Sequence, residues 1–266
     1  MSPTDSSPAR LVTELDGVRG IVFDIDGVLC ERDLPIGRAA DTLSRIVAAG
    51  IPFRLLTNNT SKSRRLLAKN LRGAGFPVEA EQIFAPPHAA GEYLRGKKAS
   101  AFLLVQDGSI EDFAGVDQQE SEADYVVVGD LGDDWTFEML NRAFRILHRG
   151  DAELIGLGRT RYWEAPTGLQ LDAGPFVAAL EYAAAIEALV FGKPEPAIFE
   201  AVIHDLGLPA GNIAMIGDDI QSDVVPAMGV GMRGVLVRTG KFRDADLDRG
   251  IEPDLVIDSV DDLITG

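Results

Sequence analysis

The sequence predicts an α/β protein: a doubly wound parallel sheet with a second, smaller α/β domain inserted into it. Three observations carry this expectation. Short apolar runs alternate with segments of helical periodicity at both ends of the chain, and such alternation specifies parallel strands covered by helices on both faces. The middle third has strand-like and helix-like units of its own, enough for a separate domain. A chain of 266 residues is also long enough to bury two cores.

Met1 to Arg10 is rich in Ser, Thr and Pro and lacks an apolar stretch, which predicts a disordered tail and no signal peptide. Gly20 to Asp24 reads as the first strand. Gly37 to Ala49 places Ala39, Leu43, Ile46 and Val47 at helical spacing, and Gly50 closes that helix. Pro52 to Leu56 is a second strand; Ser61 to Arg72 is a second helix, capped by Ser61 and ended by Gly73. The inserted domain is expected over 86–187, between core segments 11–85 and 188–266. Within it Ala101 to Val105, Tyr125 to Val128 and Glu153 to Leu157 read as strands, and Thr136 to His148 and Pro175 to Ile186 as helices. The acidic Gly129 to Asp134 is a helix-initiating loop. Back in the core come a strand at Leu189 to Phe191 and a proline-started helix at Pro196 to Leu206. A strand at Ile213 to Ile216, a helix at Ile220 to Met228, and strands at Val235 to Val237 and Leu255 to Ile257 complete it.

Composition excludes several classes of partner. Hydrophobic content of 46% and charged content of 25% are ordinary for a globular protein. A net charge of −17 argues against nucleic acid, which needs a basic footprint. No apolar run approaches the roughly 18–20 residues that span a bilayer, so no membrane is expected. The single cysteine, Cys30, allows no internal disulfide and fits a reducing, cytoplasmic setting. Its plainer role is a small apolar residue after Leu29. The overlapping sequons in Asn58-Asn59-Thr60-Ser61 are chance matches without a secretion signal.

Four polar segments stand at the carboxyl ends of expected core strands, where open α/β sheets build their sites. The first is Asp24-Ile25-Asp26-Gly27, and residues i and i+2 of a strand face one side. Two neighbouring carboxylates need a cation or a shared proton. The second is Thr57-Asn58-Asn59, which offers hydrogen-bond donors. The third is Gly192-Lys193-Pro194, a cation before a helix, and the fourth is Gly217-Asp218-Asp219-Ile220-Gln221-Ser222-Asp223. Together they place a carboxylate nucleophile, an acid, oxyanion donors, a lysine and an acidic cluster around one point. That set fits phosphoryl transfer, in which the protein positions and neutralises charge. Oxygen-only ligands favour Mg²⁺, and no Cys/His spacing suggests zinc.

The ordered motifs D-x-D-G-V-L, T-N-N, G-K-P and G-D-D-x-x-x-D resemble the haloacid dehalogenase-like hydrolase superfamily over nearly the whole chain. The insertion between the second and third motifs is similar to the large α/β cap of its 4-nitrophenylphosphatase-like subgroup. Gly158 to Trp163, Gly168 to Pro175 and Val237 to Arg243 look like the phospholysine phosphohistidine inorganic pyrophosphate phosphatase branch and its hydrolase-domain-containing relatives. The resemblance implies a Rossmann-like core with Asp24 as the nucleophile that forms an aspartyl-phosphate. It implies Asp26 as general acid and then base, and Thr57, Asn58 and Lys193 as phosphate-binding groups. Mg²⁺ would be held by Asp24, the backbone carbonyl of Asp26 and Asp218, with Asp219 and Asp223 orienting those ligands. Members of the phospholysine branch often carry Ser or Asn where this chain has Asp26, which tilts the expected substrate toward phosphate esters with poor leaving groups. The expected substrate is a small phosphorylated metabolite, and the resemblance also implies homodimerisation through the cap.

Other features weigh less. Gly229-Val230-Gly231-Met232-Arg233-Gly234 matches G-x-G-x-x-G, but it leads from a helix into a strand, the reverse of a pyrophosphate site. His88, His148 and His204 sit on expected helices without paired ligands. Arg161, Trp163 and Asp172 are candidates to face the substrate from the inserted domain, with plain packing as the competing reading. Two rival functions share the motifs: a phosphomutase or phosphotransferase on the same core, and a non-catalytic phosphate-binding scaffold.

Overall fold

The computed structural model describes residues 10–165 and 168–265. It divides into two units, one built from Met1–Thr57, Leu67–Phe84 and Lys193–Gly266, the other from Asn58–Leu66 and Ala85–Gly192. Of the tail expected over Met1 to Arg10, residues 1–9 lie outside the described residues. Arg10 opens a short strand, Arg10–Leu11, antiparallel to Ile264–Thr265.

The first unit is built on a six-stranded parallel sheet. Its order is Leu255–Ile257, Arg233–Val237, Ile213–Gly217, Gly20–Phe23, Phe53–Leu56, Ile83–Phe84. The chain starts at Gly20–Phe23, winds outward to Ile83–Phe84, and returns on the other side with Ile213–Gly217. That reversal creates a switch point, the place where open α/β sheets bind ligands. Ile216 pairs with Phe23 across it, so the residues after both strands emerge at one edge. Every residue of these two strands is buried, as expected for strands covered on both faces. Ile198, Phe199 and Val202 of the helix Pro196–Leu206 pack against Val22, Leu56, Ile213 and Met215. The helix Ala39–Ala48 buries Ala39, Leu43 and Ile46.

Two local expectations change. The helix Arg64–Gly73 is capped by Ser63, whose Oγ accepts from the Leu66 N–H at 3.2 Å, and not by Ser61. The Asn59 side chain accepts from the backbone N–H groups of Ser61 and Lys62, an Asx turn that holds Ser61 outside the helix. The expected helix Ile220 to Met228 is a π turn, Ile220–Val224, followed by a short α-helix, Val225–Gly229.

The second unit carries a five-stranded parallel sheet in the order Leu189–Val190, Glu153–Gly156, Tyr125–Val128, Ser100–Leu104, Asp117–Gln118. Its core includes Leu104, Val126, Val128, Ile146, Leu147, Val177 and Leu180. Leu189–Val190 was expected in the core sheet, but it pairs with Ile155 and Gly156. A two-residue run has no periodicity that tells which open edge it will join. The helix Pro86–Lys97 escaped the periodicity because it begins with two prolines and carries Gly91 and Gly96. A hairpin of Tyr162–Ala165 and Gly168–Leu171 completes the unit. Among the described residues no helix is long and apolar enough to cross a membrane.

Candidate active site

The site forms at the switch point of the first unit. Asp24 follows Gly20–Phe23 and is buried; its Oδ1 accepts from the Ile25 N–H at 2.8 Å. The buried Lys193 ammonium lies 2.8 Å from that Oδ1 and 2.7 Å from Asp223 Oδ1. Asp223 reaches this point through the π turn, in which its N–H donates to the Asp219 carbonyl. Turns of this kind are frequent at functional sites. Gly217 makes room for it, since a Cβ there would stand 2.2 Å from the Asp223 Cβ.

Asp218 follows Ile213–Gly217 and is also buried. Its Oδ2 accepts from the Lys241 N–H at 2.7 Å, whereas its Oδ1 is buried with no hydrogen-bond partner among the described residues. Carboxylate oxygens of Asp24, Asp218 and Asp223 lie within 4.8 Å of one another. At an effective dielectric of about 20, each such pair of full charges repels by about 3 kcal/mol. Three pairs amount to on the order of 10 kcal/mol, comparable with the whole stability of a domain. At the same dielectric the Lys193 ammonium, 2.8 and 2.7 Å from two of these carboxylates, attracts them by a similar total, on the order of 10 kcal/mol, but the net charge of the buried group stays negative.

The titration of these groups follows the same logic. Burial pushes the Asp24 carboxyl up against the pull of Lys193, and the Asp26 carboxylate adds to the rise. Burial, then the Asp24 and Asp223 carboxylates, raise Asp218 to about 7. Burial raises Asp223 to about 6 despite Lys193. Burial alone would lower Lys193, but the Asp223 and Asp24 carboxylates overcome it and hold the ammonium above its ordinary value. Three carboxylates around one buried cation leave two negative charges, which protons or a dication must balance. The donor set is all oxygen, and Asp218 Oδ1 is an acceptor with nothing to accept. Both features fit a hard dication such as Mg²⁺.

The other expected residues are placed as follows. Asp26 is exposed on the tight loop in which Gly27 N–H donates to the Cys30 carbonyl. Thr57 is buried at the end of Phe53–Leu56, beside Gly20–Phe23, and its N–H donates to the Phe84 carbonyl. Asn58 begins the second unit, with its Oδ1 close to Gly192. Asp219 caps the π turn by accepting from Gln221, Ser222 and the Ser222 hydroxyl. The two aspartates treated alike in the sequence are therefore separated: Asp223 enters the carboxylate cluster, and Asp219 shapes the turn. In the second unit Trp163 is partly exposed on the hairpin beside Arg161, and Asp172 caps the helix Ala173–Ala184 through the Ala173 N–H.

Thr239, Gly240 and Lys241 had no assigned role in the sequence, yet they touch the site. They follow Arg233–Val237 at the same sheet edge. Burial opposes charge on Lys241, but Asp24, Asp218 and Asp219 together hold its ammonium above the ordinary value. A glycine three residues after a parallel strand was the signal available for this loop.

Family models cover much of the chain: a haloacid dehalogenase-like hydrolase model matches residues 21–119, and a HAD-hydrolase-like model matches residues 190–263. The phospholysine phosphohistidine inorganic pyrophosphate phosphatase of Homo sapiens is 38% identical over 237 residues, 87% of each chain. The haloacid dehalogenase-like hydrolase domain-containing protein 2 of Rattus norvegicus is 37% identical over 232 residues, 87% of this chain and 88% of that one. The p-nitrophenyl phosphatase from Archaeoglobus fulgidus superposes with a TM-score of 0.86 at 30% identity, covering 92% of this chain and 97% of that one. With a Rossmann-like core, an added α/β unit and relatives that are phosphatases, the chain belongs to the haloacid dehalogenase-like hydrolase family.

Proposed function

We propose that this protein is a Mg²⁺-dependent phosphatase that hydrolyses a small phosphorylated metabolite. The observation that carries the reading is the buried Asp24 carboxylate, pinned by Lys193 within a cluster of three carboxylates. Asp24 attacks phosphorus; an aspartyl-phosphate bond forms and the bond to the leaving oxygen breaks. Asp26, exposed next to the nucleophile, gives its proton to that oxygen. Asp26 then takes a proton from a water that attacks the phosphorus, which releases phosphate and restores Asp24. Thr57, the adjacent Asn58 and Lys193 hold the phosphate oxygens.

The Lys193 contact and the Ile25 N–H both fall on Asp24 Oδ1, and the Lys241 N–H falls on Asp218 Oδ2. Asp24 and Asp218, with the Asp26 carbonyl, would therefore hold Mg²⁺. Asp223 is engaged by Lys193 and by the Asp219 N–H. When bound, the ion supplies the positive charge that keeps these carboxylates ionised and offsets the charge of the phosphoryl group.

Phosphate release from pyrophosphate, sugar phosphates and nucleotides, with and without Mg²⁺, tests the reading. Turnover should require Mg²⁺, and Asp24→Asn should abolish it while leaving the fold intact. Undiminished turnover in that variant would refute the nucleophile.

A further inference from the structure

We propose that Thr239-Gly240-Lys241 is a positioning clamp for Asp218: it occupies one carboxylate oxygen and so presents the other to the metal. The Lys241 backbone N–H donates to Asp218 Oδ2 at 2.7 Å. Two glycines box in the same oxygen. A Cβ at Gly27 would stand 2.1 Å from it, and a Cβ at Gly240 would stand 2.0 Å from it. Both residues have positive φ, +85° and +60°, so each is glycine for two independent reasons. They also face each other, since a Cβ at Gly240 would lie 2.7 Å from the Gly27 Cα. Thr239 fastens the two turns together: its Oγ1 donates to the Gly27 carbonyl at 2.5 Å.

The result is asymmetric. Oδ2 is enclosed and satisfied, while Oδ1 is buried and unsatisfied. A buried acceptor without a partner is costly, more so when charged, so the fold sustains a cost to keep that oxygen waiting. The donor on Oδ2 is a neutral amide, which orients the carboxylate without cancelling its charge. The Lys241 ammonium takes no part in that hydrogen bond; it lies 3.9 Å from Asp219 Oδ2 with its side chain 66% exposed, and it acts on Asp24 and Asp218 only through the field.

The inference rests on the Mg²⁺ reading above. Titration of the full chain with Mg²⁺ alone, followed by thermal shift without substrate, tests it. Thr239→Val removes the hydroxyl and keeps the shape; it should raise the Mg²⁺ midpoint roughly tenfold. Thr239→Ser should restore the wild-type midpoint, and Thr239→Ala gives the same test if the valine variant does not fold. Lys241→Ala retains the N–H and removes a cation, so it should bind Mg²⁺ at least as tightly as wild type. A wild-type midpoint in Thr239→Val, or an equal loss in Lys241→Ala, overturns the clamp. Asp218→Asn separates the two levels. If wild type shows no Mg²⁺ response that this variant loses, the metal reading fails and the clamp with it. If that response is present but Thr239→Val matches wild type, the clamp alone fails.

Discussion

Lys193 Nζ lies 2.8 Å from Asp24 Oδ1, with both side chains nearly sealed from solvent. The lysine directly follows the last residue of the second unit, and the aspartate directly follows the central strand of the first. Their contact fixes the Asp24 carboxylate in one orientation. The second carboxylate on the ammonium, Asp223, keeps the lysine charged.

Removing that ammonium strands buried carboxylates. Lys193→Met should lose about 3–5 kcal/mol of stability at pH 7.5, as measured by urea unfolding. The deficit should shrink toward pH 5.5, where Asp24 and Asp223 take up protons in place of the lost cation. An equal deficit at both pH values would show that the charge balance is not its cause.

The general-acid role proposed for Asp26 depends on the leaving group. Asp26→Ala should lower kcat about 10²–10⁴-fold for an alkyl phosphate, whose leaving oxygen needs a proton. p-Nitrophenyl phosphate expels p-nitrophenolate, an anion stable without a proton, and should suffer much less. Parallel losses on both substrates would rule out the general-acid role.

The raised carboxyls set a pH dependence for the metal. Asp218 near 7 and Asp223 near 6 keep protons in the metal-free fold that the unfolded chain has already released. Between about pH 4 and pH 7 the metal-free protein should therefore lose stability as pH rises. Mg²⁺ bound as proposed would have to displace those protons, so its stabilising effect should grow from pH 5.5 to pH 8. Melting curves with and without Mg²⁺ across that range check the sign; a shift independent of pH would contradict it.

Cys30 is buried, and burial followed by the Asp26 and Asp33 carboxylates pushes its thiol up to about 12. The native protein should resist a thiol-specific disulfide reagent at pH 8 and react fully once unfolded. Rapid native labelling would mean that the loop after Asp24 opens readily.

Much of the core unit could be read from the chain itself. Gly20–Phe23 and Ile213–Gly217 announce themselves because strands buried on both faces must be apolar throughout. Asp24 and Asp218 stand out because charges that directly follow such strands are uncommon without a purpose. Other features depend on approach in three dimensions. Nothing local distinguishes Asp219 from Asp223 until a π turn directs one inward. Leu189–Val190 carries no mark of the sheet it joins. The contact between Gly27 and Gly240 exists only when two distant turns meet around a carboxylate.

The sheet order also governs how a nascent chain can mature. Gly20–Phe23 gains one neighbour, Phe53–Leu56, early in translation, but its other neighbour is Ile213–Gly217. Until the ribosome has delivered that late segment, one flank of an apolar strand stays unpaired and open to self-association. The second unit, complete by Gly192, can finish folding while the first still waits for its closing strand.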